Sequence, residues 1–393
     1  MIDVEIGSRD FIENQHYYLD QLKTNSPIIK TRSGYILVTK YDDIFFGLKN
    51  NSFARQIIKG SESHYHALTN MDGKDHSMYR QMLTSTFSNS SIKNMEELIL
   101  KIINQEIKNI KKNKSKTIDL INDIAFKVPF YTTCEILGIE PPEDEDLKNI
   151  QRLSIDTLYI LNLELSKEDF RRSLKASDEL LYYIINLTFG NRYKKKSGLI
   201  THLQNAEYEG KRITNEEILS FVILLFVAGF ETNVNSITSS IYNILNQKKA
   251  KDKILQLATS SSSLSAISDE LIRHSSSVNF VTRKAIKDTY LGKDKFLVKE
   301  GEIVLFHLGS ANRDSEIFSN PHEIDIDRFN SNRHLGFGSG PHYCIGAGLS
   351  RIQVSNVVVE TIKNFDNLKI MKNPVISSNF GIAGFEQIYA TYQ

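Results

Sequence analysis

The chain has no tryptophan in 393 residues, only seven prolines and only two cysteines. Cys134 and Cys344 lie far apart, which excludes the dense disulfide framework of a small secreted scaffold. An excess of one charge is also lacking. Forty-eight basic residues face 47 acidic ones, a net charge of +1, so no broad basic surface for nucleic acid or membrane adsorption is expected. The longest apolar run, Phe221 to Phe230, is too short to span a bilayer. The first residues, Met1-Ile2-Asp3-Val4-Glu5, lack a signal-peptide core. The expectation is a soluble, cytoplasmic protein of a reducing compartment, with no nucleic-acid or membrane partner. Plentiful Lys, Ile and Asn reflect composition bias.

What is present suffices for one large core or two modest ones: 40% of the residues are hydrophobic. Residues 28–41 carry strand-like content around Ser33-Gly34 and predict a β-hairpin. Residues 95–250 are mostly helical in pattern. Lysine-rich stretches at Lys108–Lys116 and Arg192–Lys196 read as solvated helix ends or loops. Thr259 to Ser268 is serine-rich and reads as a loop. Residues 280–308 return to strand character around Gly292 and Gly301. Cys134 sits in a helical pattern and reads as core. No internal repeat and no linker appears, so residues 1–393 are expected to form one domain, mainly α with a smaller β-rich sector.

The most informative stretch is Phe337-Gly338-Ser339-Gly340-Pro341-His342-Tyr343-Cys344-Ile345-Gly346. Its glycines allow turns that a side chain would block. The apolar residues from Ile345 onward, with Leu349, Ile352 and Val354, predict a helix opening just after Cys344. A sulfur there faces free amides and the positive helix end, which favours a thiolate. A lone cysteine on a turn is more often buried and inert. The spacing reverses that reading. Six positions of the Phe-Gly-x-Gly-x-His-x-Cys-x-Gly pattern match, and the stretch resembles the haem-ligand loop of the cytochrome P-450 family, soluble bacterial type.

The resemblance implies the cytochrome P-450 fold, with haem b between a long central helix and the cysteine-loop helix. It makes Cys344 the axial ligand of the iron, framed by Phe337 and Gly346. Thr214-Asn215-Glu216-Glu217 is a capping box, and it opens an apolar segment, Ile218 to Leu245, read as one long helix. Within it Ala228-Gly229-Phe230-Glu231-Thr232 resembles the family's oxygen-binding segment. The small residues Ala228 and Gly229 would leave room for dioxygen, and Glu231 and Thr232 would govern proton delivery. A common second threonine is replaced here by Asn233. A glycine on such a helix also serves close packing, and a carboxylate there can lie on a solvated face.

Further positions match the family. His76 and Arg80 share one helix face at i, i+4; with Arg283 and His342 they would bind the haem propionates. Glu270 and Arg273, with Arg328 downstream, would form a buried structural lock. The i, i+3 spacing alone means little, since Glu168/Arg171 repeats it. Ala311-Asn312-Arg313-Asp314 is assigned a structural role. The implied activity is a monooxygenase taking electrons from a separate ferredoxin or flavodoxin with its reductase, which would dock near Arg80 and Arg351. Alternatives are a peroxygenase, desaturation or aryl coupling, or a non-catalytic haem or carrier-recruiting module. The substrate would be a small molecule, apolar or natural-product-like, free or carrier-tethered. Phe221, Leu224, Leu225, Val227 and Phe230 would supply an apolar wall, with further contacts from Gln56 to Ala67 and Ile382 to Phe385.

Overall fold

The computed structural model describes residues 5–55, 68–84, 86–162, 166–190, 198–208, 210–258, 261–371 and 374–393. The expected hairpin forms: Ile28–Lys30 pairs antiparallel with Ile36–Val38. Ile36–Val38 runs parallel to Ile303–His307, which pairs antiparallel with Phe280–Ala285, and Phe53–Ala54 closes the five-stranded sheet. Strand alternation explains its two faces. Ile36, Val38, Val304 and Phe306 point to one buried cluster, with Phe53 edge-on to Phe306. Leu37 and Leu305 point the other way, to Phe11, Leu19, Leu22 and Phe380.

The largest buried cluster is helical and contains Cys134, 1% exposed. Its spine is the central apolar segment. The capping box forms as read: Glu217 N–H donates to Thr214 Oγ1, and Thr214 N–H to the Glu217 carboxylate. The single long helix expected here is two. Asn215–Gly229 stops, Phe230 forms a joint, and Glu231–Leu245 continues. By length and hydropathy the whole stretch could cross a membrane, but much of it is buried in the core.

The serine-rich segment is a second correction. Ser261–Ser275 is a helix, not a loop. Leu264, Ile267 and Leu271 fall on one face and pack on the core, and that burial outweighs the weak helix preference of serine. The Arg192–Lys196 stretch lies outside the described residues.

Candidate active site

The cysteine loop owes its shape to two glycines with positive φ, Gly338 at 69° and Gly340 at 72°. A Cβ on Gly340 would also fall 2.6 Å from the Leu48 carbonyl oxygen. The Cys344 N–H donates to Phe337 O at 3.0 Å, which closes the loop. The helix Ala347–Asn364 opens three residues later, with Gly346 as its cap. A Cβ at Gly346 would stand 4.0 Å from Cys344 Sγ. Cys344 is exposed, on a loop whose residues are mostly half-exposed or exposed. Burial raises the thiol pKa, and the Gly346 amide, Arg80 and Arg351 only partly oppose it. The Gly346 amide at the helix start thus favours the thiolate, as expected, and a bound cation is what deprotonates such a thiol outright.

Phe337 packs between His334 and Tyr343, with the Arg351 guanidinium 4.8 Å above its ring. Arg351 Nε donates to Asp269 Oδ1 at 2.6 Å, and Arg351 Nη2 to Tyr343 Oη at 3.3 Å. Arg80 Nη2 donates to the Tyr343 carbonyl at 2.7 Å. Both arginines, half-exposed, brace the loop.

His76, Arg80, Arg283 and His342 come together. The His76 and His342 rings lie 4.1 Å apart, and His342 Nε2 is 3.2 Å from Asp72 Oδ1. His76 is 3% exposed and its Nε2 has no hydrogen-bond partner. Arg283 is also buried, and its Nη1 donates to Thr282 O at 2.9 Å. The sequence reading missed Arg55. Its Nη1 reaches the same Thr282 carbonyl at 3.3 Å, and its Nε donates to Thr69 O at 2.6 Å. Two guanidiniums thus share one carbonyl, beside two histidines and Arg80.

The electrostatics follow from burial. Burial, Arg55 and a weaker opposing Asp72 leave the Arg283 pKa at about 9. Burial, His76 and Arg283 lower His342 to about 4 against the pull of Asp72. Burial and Arg80 lower His76. Among the described residues, a cluster of this sign, built on buried His76 and Arg283 with an orphaned imidazole nitrogen and with Asp72 as the carboxylate at hand, favours further anions. The two propionates of haem fit that preference, and the accessible Cys344 sulfur fits its iron.

The lock assembles around Glu270, Arg273 and Arg328, all buried. Arg273 makes two 2.8 Å bonds to Glu270 and donates to Asn312 O, Pro321 O and Glu323 O. Arg328 Nε is 3.1 and 3.2 Å from the Glu270 oxygens. The Ala311–Asp314 segment ties in here through that Asn312 carbonyl.

On the central helix Ala228 is exposed and Thr232 partly so. Thr232 Oγ1 donates to Ala228 O at 2.9 Å. A Cβ on Gly229 would meet Thr133 Oγ1 of Lys127–Leu137 at 3.4 Å, an ordinary contact. Glu231 is 5% exposed; Asn235 Nδ2 stands 3.5 Å from Oε1, and Oε2 is unpartnered. Burial lifts its pKa to about 7. The apolar wall is smaller than expected. Phe221 packs on Tyr79, and Phe230 packs among Phe126, Phe130 and Phe226; only Leu224, Leu225 and Val227 stay partly accessible. The late turn reaches the central segment, since a Cβ on Gly384 would overlap Asn235. Gln56 to Ala67 lies outside the described residues.

The family model described as "Cytochrome P450" matches residues 26–257 and 262–385. The polyketide biosynthesis cytochrome P450 PksS of Bacillus subtilis is 30% identical over 354 residues, covering 86% of this chain and 83% of that one. The solved structure of PksS from the same organism matches with a TM-score of 0.86 at 27% identity, over 99% of this chain and 100% of that chain. P450BioI, in complex with an acyl carrier protein ligated to hexadec-9Z-enoic acid, matches with a TM-score of 0.86 at 23% identity, over 98% of this chain and 100% of that chain, a likeness of fold. The cysteine loop, the fold around it and a match over most of the sequence agree, and the chain belongs to the cytochrome P450 family.

Proposed function

We propose that this chain is a single-domain, cytoplasmic haem-thiolate monooxygenase. It inserts one atom of dioxygen into an apolar or natural-product-like molecule and draws electrons from a separate ferredoxin or flavodoxin with its reductase. The observation that carries the reading is an accessible cysteine sulfur on a glycine loop beside a partly buried arginine–histidine cluster with an unpartnered imidazole nitrogen. Haem supplies oxygen activation and the electron transfer steps.

The residues of this chain do the rest. Cys344 offers the sulfur. His76, Arg80, Arg283 and His342, joined by Arg55, hold the propionates by charge-assisted hydrogen bonds. Glu270, Arg273 and Arg328 keep the turns behind the loop in place. Glu231, with a pKa near 7, is part protonated at neutral pH, so it can give a proton and regain one. Thr232 holds its hydroxyl on the Ala228 carbonyl and can pass a proton at Oγ1. The Ala228 methyl leaves space beside it, and Leu224, Leu225 and Val227 keep water out. Such a proton supply argues against obligatory use of peroxide as oxidant.

The test is spectral. The reduced, carbon-monoxide-bound protein should show the red-shifted Soret band of thiolate ligation, and Cys344→Ala should lose it. A variant with an unchanged band would remove Cys344 as the ligand. For the substrate, PksS is named for polyketide biosynthesis and the P450BioI structure holds a loaded carrier protein. Those names support an acyl chain on a carrier. Titrating free fatty acids against the same chains loaded on an acyl carrier protein, and reading displacement of iron-bound water, compares the two. Tighter binding of the free acid would count against the carrier form.

A further inference from the structure

The joint in the central helix leaves a deficit that the backbone does not fill. The first helix ends at Gly229 and the second begins at Glu231, so the carbonyls just before the joint lack the amide partners of a continuous helix. Two side chains substitute. Thr232 Oγ1 donates to Ala228 O at 2.9 Å, and Asn233 Nδ2 donates to Gly229 O at 3.2 Å.

Asn233 also reaches across to the cysteine helix. Its Nδ2 donates to Gln353 Oε1 at 2.6 Å, and its Oδ1 accepts from Ser350 Oγ at 2.6 Å. Both partners lie on Ala347–Asn364, and the Ser350 amide donates to the carbonyl of Gly346, two residues past Cys344. Asn233 is 6% exposed and Gln353 0%. Bonds in such a dry interface are costly to leave unmade. A hydroxyl at position 233 could back-bond to the Gly229 carbonyl, but it is too short to serve all three groups at once. An amide offers two donors and an acceptor at its tip.

We infer that Asn233 is a positioning residue that fixes the acid–alcohol pair relative to the cysteine loop, by clamping the helix joint at one end and the cysteine helix at the other. This rests on the haem-thiolate reading, because it takes Thr232 and Cys344 as the two parts to be aligned. Asn233 makes no hydrogen bond to either; it acts through the Gly229 carbonyl and through Ser350.

The test compares the wild-type holoenzyme with Asn233→Ala, Asn233→Thr, Ser350→Ala and the Asn233→Ala/Ser350→Ala double variant. The readouts are the reduction potential, the fraction of reductant released as hydrogen peroxide, the carbon-monoxide band and the thermal midpoint. Asn233→Ala and Asn233→Thr should shift the potential and raise the peroxide fraction several-fold. Ser350→Ala should go part of the way, and the double variant no further than Asn233→Ala, since both remove one unit. The band should stay of the thiolate type throughout. Asn233→Thr with wild-type potential and peroxide fraction overturns the inference. So does a lowered thermal midpoint with both other values unchanged, which is the result for mere helix packing. If Asn233→Ala does not fold, Asn233→Thr and Ser350→Ala decide by the same readouts. A wild-type protein without the thiolate band sinks the haem-thiolate reading itself, whereas a normal band with unaffected variants sinks only this inference.

Discussion

Glu231 is a carboxyl held where a carboxylate is costly. Burial raises its pKa from 4.5 to about 7, with Asn235 opposing weakly. An acid whose folded pKa exceeds its unfolded one binds its proton more tightly when folded. Its cost to stability is therefore absent below about pH 4.5, grows up to about pH 7, and is fully present above that. A displacement of this size corresponds to about 3 kcal/mol. Glu231→Gln should remove the cost, so the variant should gain thermal stability over wild type at pH 8 and little at pH 4. An equal difference at both values would mean that Glu231 is not the group responsible. The same change should slow turnover about 10²–10⁴-fold, because an amide cannot exchange a proton as a carboxyl does. The candidate residues that the resemblance nominated sit in short motifs, Cys344 in its loop and His76 with Arg80 on one helix turn, and the fold brings His76 and His342 together. Arg55 was not legible. It meets Arg283 only because Phe53 pairs with Ala285 and Ala54 with Lys284, a register set by distant strands and by no local pattern.

At the scale of elements, the glycine loop makes a graded prediction. Gly338 and Gly340 both have positive φ, which costs a non-glycine residue roughly 1–2 kcal/mol. They differ in space. The nearest atom to a Cβ on Gly338 is 3.9 Å away, while a Cβ on Gly340 would press on the Leu48 carbonyl. Gly340→Ala should therefore lose more bound haem and more thermal stability than Gly338→Ala, read from the Soret-to-protein absorbance ratio and a melting curve. Equal losses would show that backbone conformation alone decides. The lock ties the helix Ser261–Ser275 to the turns between Asn312 and Arg328. Removing one partner of a buried ion network typically costs about 3–5 kcal/mol, so Arg273→Ala should fold poorly or bind no haem. A soluble, haem-replete variant would deny the lock that role. Two elements escaped the sequence for physical reasons. The serine-rich helix exists because its apolar face packs on the core, which composition hides. The helix joint at Phe230 falls at the end of the apolar run, between Gly229 and Glu231, and those two residues carry the oxygen-site reading, which accounts for them without a break.

For the whole molecule, electron supply is the property that separates local from global charge. The 48 basic and 47 acidic residues nearly cancel, so no net field draws in an acidic ferredoxin, and steering must come from a local face. The family resemblance nominated Arg80 and Arg351 for that face. Their geometry already engages them in bracing the loop: Arg80 holds the Tyr343 carbonyl, and Arg351 holds Asp269 and covers Phe337. Burial raises the Asp269 pKa, but His334 and Arg351 together hold it below its usual value, so Arg351, though half-exposed, is engaged with Asp269. Rim cations act on encounter rate and its salt dependence, whereas internal ones act on the stability of what they brace. Reduction by an acidic ferredoxin should therefore slow as salt rises in the wild type, and Arg351→Ala should keep nearly the same salt slope while losing haem faster. Stopped-flow reduction across a series of ionic strengths, beside haem transfer to an acceptor globin, measures both. A slope that flattens in Arg351→Ala with haem retention unchanged would return this arginine to the docking face and take it out of the loop's support.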